Sequence, residues 1–191
     1  MIHQYSPERI AARMEIQDAV YRWARGVDRR DWDSLYDVFH PDATDRHGIY
    51  DGPIDGLICW LKERHKGISQ CMHFIGNVFI EFTGEKTALC ESCVIGYHVY
   101  GDAPFDVKAA ILGEKMASER GDIVTMVIGR YVDEFEQRNG RWKVARRNTI
   151  FEHMEAEVEG DGPKLNPKWL IQSRDANDMI MQKRREWGLA K

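Results

Sequence analysis

The sequence is poor in several features that would each announce a function. It has no apolar run approaching the ~18 residues that a membrane-spanning helix needs. Its first residues, Met1-Ile-His-Gln-Tyr-Ser6, are polar where a signal peptide has an apolar core, so a cytoplasmic protein that does not engage a membrane is expected. Basic residues form no long run, and 27 of them stand against 31 acidic ones for a net charge of -4, which argues against nucleic acid as a partner. Only 4 cysteines occur, Cys59, Cys71, Cys90 and Cys93. In a reducing compartment they are expected as small core residues. The single Cys90-x-x-Cys93 has neither a second pair nor a nearby histidine at ligand spacing, so zinc or redox work is not expected of it. No glycine-rich phosphate loop follows a strand, and no Gly-x-Ser-x-Gly elbow is present. Histidines do not recur at metal-ligand spacing either, so the expectation is a protein with no cofactor and no metal. Repeats and low-complexity tracts are absent.

What remains is a chain of 191 residues, 43% of them hydrophobic, enough for one domain with a sizeable core. The expected division is a domain over residues 1–158 and an extension over 159–191 carrying a helix. Ser6-Pro7 is a helix start, and apolar residues from Ile10 to Val27 at helical spacing predict an amphipathic helix over 7–27. Asp31 then caps a second helix with Leu35, Tyr36, Val38 and Phe39 on its apolar side, stopped by Pro41. Residues 43–52 read as a short strand and turn, and Pro53 opens a third helix that fades by Gly67. From Cys71 the pattern becomes β: Cys71–Phe82, Thr87–Tyr100, Asp122–Arg138 and Arg141–Glu155, with Asn139-Gly140 as a hairpin turn. Residues 101–122 read as a long connection, and a last helix is expected over about 173–187. Helices followed by long antiparallel strands give an α+β fold: a curved, mainly antiparallel sheet forming a cone wrapped by N-terminal helices, with a pocket inside.

Four positions draw attention as chemistry. Asp28 ends the first helix, where the dipole disfavours a carboxylate, so a purely local role is not obvious. Ala24 and Tyr21 lie one and two turns before it on roughly the same face. His73 falls on the apolar face of its strand with Cys71 and Ile75; a carboxylate partner would fix its tautomer and make it a base. Arg147 shares parity with Thr149, Phe151 and His153. Pointing inward it is costly unless it meets a developing anion or a sheet carboxylate such as Asp133 or Glu152. His98, in Gly96-Tyr97-His98, is a candidate second polar group in the pocket. Tyr131 and Asp133 share a face of the strand before Arg147 and are further candidates. His40, His47 and His65 are expected to be exposed or to cap local turns.

Taken in order, Ile16-Gln-Asp18, Gly26-Val-Asp28-Arg-Arg-Asp-Trp32, Met72-His73-Phe-Ile-Gly-Asn77, Gly129-Arg-Tyr131-Val-Asp-Glu-Phe135 and Gly140-Arg-Trp-Lys-Val-Ala-Arg-Arg147 form a familiar series. The series resembles the SnoaL-like branch of the nuclear transport factor 2-like superfamily. Within it the chain is similar to the branch containing hexachlorocyclohexane dehydrochlorinase, scytalone dehydratase and bile acid 7α-dehydratase. The resemblance covers about residues 10–155. It implies an α+β cone with a deep apolar cavity, in which an Asp–His pair takes a proton and a leaving group departs without a cofactor. Asp28 and His73 match that pair, and Arg147 matches an arginine that stabilises the departing anion. Five residues before the family's aspartate, relatives often carry Tyr or Lys. Here Trp23 stands there, able to donate one indole N–H bond but no positive charge. That favours an aromatic substrate over halide elimination.

The expected function is therefore a cofactor-independent lyase for a small, largely apolar cyclic or aromatic molecule, losing water or formaldehyde. His73, Asp28 and Arg147 would be catalytic, with Trp23, Tyr21, His98, Tyr131 and Phe151 binding substrate. Two other readings stay open: an isomerase or cyclase with the same base, and a non-catalytic small subunit or ligand-binding module. Relatives with this fold usually cover the outer sheet face, so a homo-oligomer, dimer or trimer, is expected.

Overall fold

The structure is a computed structural model that describes residues 4–160 and 162–189. Met1, Ile2, His3, Asp161, Ala190 and Lys191 lie outside the described residues, and with them both outer ends of the expected two-part division. Helix α1, Pro7–Arg29, starts where the Ser6 hydroxyl accepts from the Arg9 amide at 3.3 Å and Pro7 presets the first turn. Its buried face, Ala12, Ile16, Ala19, Val20, Trp23 and Val27, keeps the three- and four-residue spacing of one helical stripe. It ends at Arg30, which adopts left-handed φ of 54° and returns its amide to the carbonyls of Gly26 and Val27.

After α1 come helix α2 at Trp32–Leu35, strands β1 at Phe39–His47 and β2 at Tyr50–Pro53, and helix α3 at Ile54–Arg64. Strands β3 at Ile68–Phe82 and β4 at Thr87–Tyr100 precede helices α4 at Phe105–Leu112 and α5 at Glu114–Ala117. Strands β5 at Ile123–Arg138 and β6 at Arg141–Val158 close the sheet, and helix α6 at Met179–Glu186 ends the chain. The second helix is thus a single turn. Val38 and Phe39, expected on its apolar side, lead into β1, because Pro41 removes a helical donor but is tolerated where the pairing of β1 with β6 breaks between Phe39 and Thr44. The connection over 101–122 carries α4 and α5, which the short apolar run Ala109–Leu112 only hinted at.

One six-stranded sheet runs β2-β1-β6-β5-β4-β3. All pairings are antiparallel except β1 with β6. It is curved and unclosed. Asn139 and Gly140, at φ 53° and 77°, make the two-residue turn between β5 and β6, as the Asn-Gly pair predicts. Alternation along the strands sorts the faces. Cys71, Gly96 and His98 point to the concave side with α1 and α3, while Met72, Phe74, Ile95, Tyr97 and Met126 lie exposed on the convex side. The core fills the concave side with Ile16, Val20, Trp23, Leu35, Phe39, Leu57, Ile58, Leu61 and Val144. Each such fully buried side chain contributes about 1.5–3 kcal/mol.

The C-terminal extension folds back onto this domain. Its helix is shorter than expected because Arg174 sits at left-handed φ of 55° and Asp178 caps a new start, accepting from the Ile180 amide at 3.1 Å. The cysteines divide: Cys71 and Cys90 are buried, Cys93 is half-buried, and Cys59 is exposed on the outer face of α3, contrary to the expected core role. Burial lifts the Cys90 thiol to about 12.

Candidate active site

The end of α1 faces the start of β3, and that juxtaposition builds the site. Asp28 Oδ1 accepts from His73 Nδ1 at 2.7 Å. Its Oδ2 accepts from the His73 amide at 3.0 Å, and the Cys71 thiol donates to Oδ1 at 3.3 Å. With Nδ1 committed to a carboxylate, the chemistry of the ring is left to Nε2. Nε2 has no hydrogen bond to the described residues, and the ring lines a cavity. Burial opposes a charge on His73. Tyr131, Cys71 and the Asp28 hydrogen bond outweigh it and hold the imidazolium well above the ordinary histidine range.

The cavity has two parts. An inner chamber of about 40 Å³ is bounded by His47, Arg64, His73, Gly96, His98, Tyr131 and Thr149. A vestibule of about 260 Å³ continues from it between Trp60, Ile111, Val127, Phe151 and Met154. His98 is buried, and neither ring nitrogen has a partner among the described residues. Its ring stands edge-on to His73, centroids 5.4 Å apart. Burial and then the Arg64 charge hold His98 well below the ordinary range, so it is neutral. His47 is pushed down to about 3 by the same two causes and shares a hydrogen bond with Thr149 Oγ1 at 3.1 Å. Tyr131 lines the chamber, and its hydroxyl makes no hydrogen bond to the described residues.

Of the eight residues singled out in the sequence, His73, His98, Tyr131 and Phe151 line this cavity and Asp28 backs His73. Arg147 lies one layer deeper. Asp133, its partner across β5 and β6, takes Nε and Nη2 at 2.7 Å each. This is the carboxylate alternative that its parity left open; it occupies Nε and Nη2, while Nη1 has no partner among the described residues. Asp45 on β1 flanks it in register, and burial lifts that carboxyl to about 7. The Arg147 guanidinium lies 4.3 Å from the centre of the Tyr131 ring and 4.9 Å from that of Trp23. Trp23 is buried in the core with its indole N–H unpaired, and it is not among the cavity walls. Tyr21, 48% exposed, faces an outer groove that Asp28 and His73 also line, with Arg25 and Phe74.

The three histidines expected outside are all buried. His40 meets the Glu136 carbonyl at 2.9 Å, His47 enters the chamber, and His65 accepts from Arg174. Their partners come from distant strands and from the C-terminal extension, so local sequence gives no sign of them. Arg174 is likewise buried. It donates to the main-chain oxygens of Asp28 at 2.8 Å, Ile68 at 2.6 Å and Val27 at 3.1 Å, and to His65 Nδ1 at 2.8 Å. Gln172 donates to the Cys71 carbonyl at 3.2 Å, and Asp178 pairs with Arg29 at 2.6 Å. The extension thus clasps both chain segments that carry the Asp28–His73 pair. Cys71, His73 and His98 each bring one metal-capable atom within 4.8 Å of the others. Two of those three residues already bond Asp28, so an ion there would compete with the Asp28 contacts.

Comparison with known proteins agrees with the fold. A gamma-hexachlorocyclohexane dehydrochlorinase from Sphingobium indicum is 25% identical over 144 residues, 74% of this chain and 81% of that protein. The crystal structure of a hexachlorocyclohexane dehydrochlorinase from Novosphingobium barchaimii superposes with a TM-score of 0.63 at 21% identity, over 84% of this chain and 97% of that one. A protein provisionally described as a scytalone dehydratase, from Novosphingobium aromaticivorans, gives 0.61 at 19% identity over 76% and 87%. At these identities the structures speak for the fold alone. The model of the SnoaL-like domain matches residues 8–148, and the chain belongs to that family.

Proposed function

We propose that this protein is a cofactor-independent lyase acting on a small, largely apolar cyclic or aromatic substrate. The observation that carries this reading is the 2.7 Å contact between Asp28 and His73 Nδ1, with the other ring nitrogen turned to a cavity. Asp28 orients the ring and stabilises its charge. For loss of water, Nε2 of the neutral ring takes a C–H proton, the C–H pair forms the double bond, and the C–O bond breaks with its pair on oxygen, which receives the proton from His73 and leaves as water. For loss of formaldehyde, Nε2 takes the hydroxymethyl O–H proton, the O–H pair forms the carbonyl, and the C–C pair stays on the ring carbon, which His73 reprotonates. Neutral His98 and the Tyr131 hydroxyl are placed to hydrogen-bond the oxygen that gains charge. The dehydrochlorinase relative, named for an elimination, supports the reaction class without supplying the substrate.

The raised His73 fixes the pH behaviour. A base must be unprotonated to act, so kcat/KM is expected to climb with pH through a midpoint above the ordinary histidine value. Aromatic alcohols and diols would be screened by mass spectrometry for loss of water or formaldehyde. His73→Ala is expected to lower turnover about 10²–10⁴-fold with folding intact. Unchanged turnover in that variant would sink the assignment, and a product of unchanged mass would turn it into an isomerase.

A further inference from the structure

Arg64 is the last residue of α3, where a basic side chain ordinarily does no more than complement the helix dipole. Here it bounds both the inner chamber and the vestibule. Among the described residues its one hydrogen bond runs from Nη2 to the Tyr100 hydroxyl at 2.7 Å, and its buried Nε has none. Its guanidinium carbon lies 5.6 Å from the Trp60 ring centre. No described carboxylate pairs with it, whereas Arg25, Arg29, Arg130, Arg138, Arg141 and Arg147 all have one. Among the described residues neither Asp nor Glu lines the chamber or the vestibule; Glu63 and Asp106 share only an adjoining outer hollow with Arg64. Half-buried Arg64 meets histidines, Tyr131 and Thr149 in this cavity but no described carboxylate, and an anion entering it would give the guanidinium its charged partner.

We infer that Arg64 is the anion-binding residue of the substrate site, and that the substrate is an aromatic or alicyclic ring bearing a carboxylate or phenolate. The inference deepens the lyase reading and rests on its placing substrate in this cavity, but not on elimination. The dimensions favour one pose. The vestibule between Trp60, Ile111 and Phe151, about 260 Å³ against about 40 Å³ for the inner space, is the roomier part for a ring. Arg64 stands where the two meet. It therefore holds the oxyanion at the junction, with the ring in the vestibule and the neighbouring carbons toward His73. A guanidinium fork suits a carboxylate in two-point contact and a phenolate oxygen in one-point contact.

The test reads binding without turnover. The purified protein is titrated by calorimetry with benzoate and with ionised 4-nitrophenolate, each beside a neutral counterpart, benzyl alcohol and 4-nitroanisole. At least one anion is expected to bind more tightly than its counterpart. Arg64→Gln is expected to weaken that anion about 10–100-fold and to leave the neutral probes unchanged. Arg64→Lys, which keeps the charge, should recover part of the loss. Benzoate preference identifies a carboxylate, and 4-nitrophenolate preference a phenolate. Should Arg64→Gln fail to fold, the wild-type protein decides: anion binding must weaken with ionic strength while neutral binding does not. The inference is overturned if neither anion binds, if anion and counterpart bind alike, or if Arg64→Gln leaves anion affinity unchanged. Any of these would remove the substrate class and leave the role of His73 to its own turnover test.

Discussion

At the scale of single residues, the candidate site was legible wherever an unusual residue stood at an element's end. Asp28 at the unfavourable end of α1 and His73 on an apolar strand face both drew attention, and they meet at 2.7 Å. Arg147 was legible as an inward arginine, but parity could not choose its partner, and Asp133 takes it. Arg174 was not legible at all. Nothing in Gln172-Ser-Arg-Asp175 marks it as a core residue, because the carbonyls it satisfies belong to a helix end 146 positions earlier. Its role can be tested directly. Arg174→Ala takes one donor each from the carbonyls of Val27, Asp28 and Ile68, which keep the Arg30 amide, Gln172 Nε2 and Arg30 Nη2, and it removes the donor to buried His65 Nδ1, at about 1–3 kcal/mol for a group that stays dry. Stability is expected to fall by about 1–3 kcal/mol in urea titration. In variant protein that remains folded, kcat is expected to fall with KM nearly unchanged, since the Asp28–His73 contact loosens while the cavity walls stay. Arg174→Lys should recover only part of both, lacking the planar fork. A loss of stability with kcat intact would make the clasp structural only.

At the scale of elements, helix α1 and the long strands followed from periodicity, and their register followed from the Asn139-Gly140 turn. The irregularities did not. Strand β6 slips register twice against β5, near Ala145 and near Glu152, so a strict alternation from Arg147 to His153 fails before it reaches His153. Two glycines of the concave face show what such places need. A Cβ at Gly129 would stand 2.2 Å from the Ile150 main-chain oxygen, at the second slip. A Cβ at Gly96 would meet side chains instead, His98 Cε1 at 3.1 Å and His73 Cδ2 at 3.6 Å. Gly129→Ala is therefore expected to destabilise the protein by about 1–3 kcal/mol or more, because backbone must move. Gly96→Ala is expected to leave the melting temperature close to wild type while it crowds the inner chamber and lowers turnover. Thermal melts and turnover measured on the pair separate the two effects. Equal melting temperatures in both variants would refute the distinction.

At the scale of the whole molecule, the cavity concentrates groups whose ionisation folding suppresses, and acid stability follows from that. His47, His65 and His98 are all depressed, first by burial and next by Arg64. A histidine depressed in the folded state binds fewer protons there than in the unfolded chain. Its stabilisation is full above the unfolded value near 6.5 and is lost as pH falls below it. His73 is shifted the other way, so its contribution is complete below that value and adds no slope in acid. Asp45, lifted to about 7 by burial, binds its proton more tightly when folded and opposes the trend between its unfolded value and about 7. Three histidines against one carboxyl leave roughly two protons, or at most about 2.7 kcal/mol of stability for each pH unit below 6.5. Urea midpoints measured between pH 7 and pH 4.5 are expected to fall steeply over this window. His98→Gln removes one of the three suppressed groups and should flatten the slope by about half, since the net then drops to one proton. A variant slope equal to that of the wild type would mean that His98 is protonated in the folded cavity. In that case it could not serve as the neutral donor beside His73, and the oxyanion would be left to Tyr131 and Arg64.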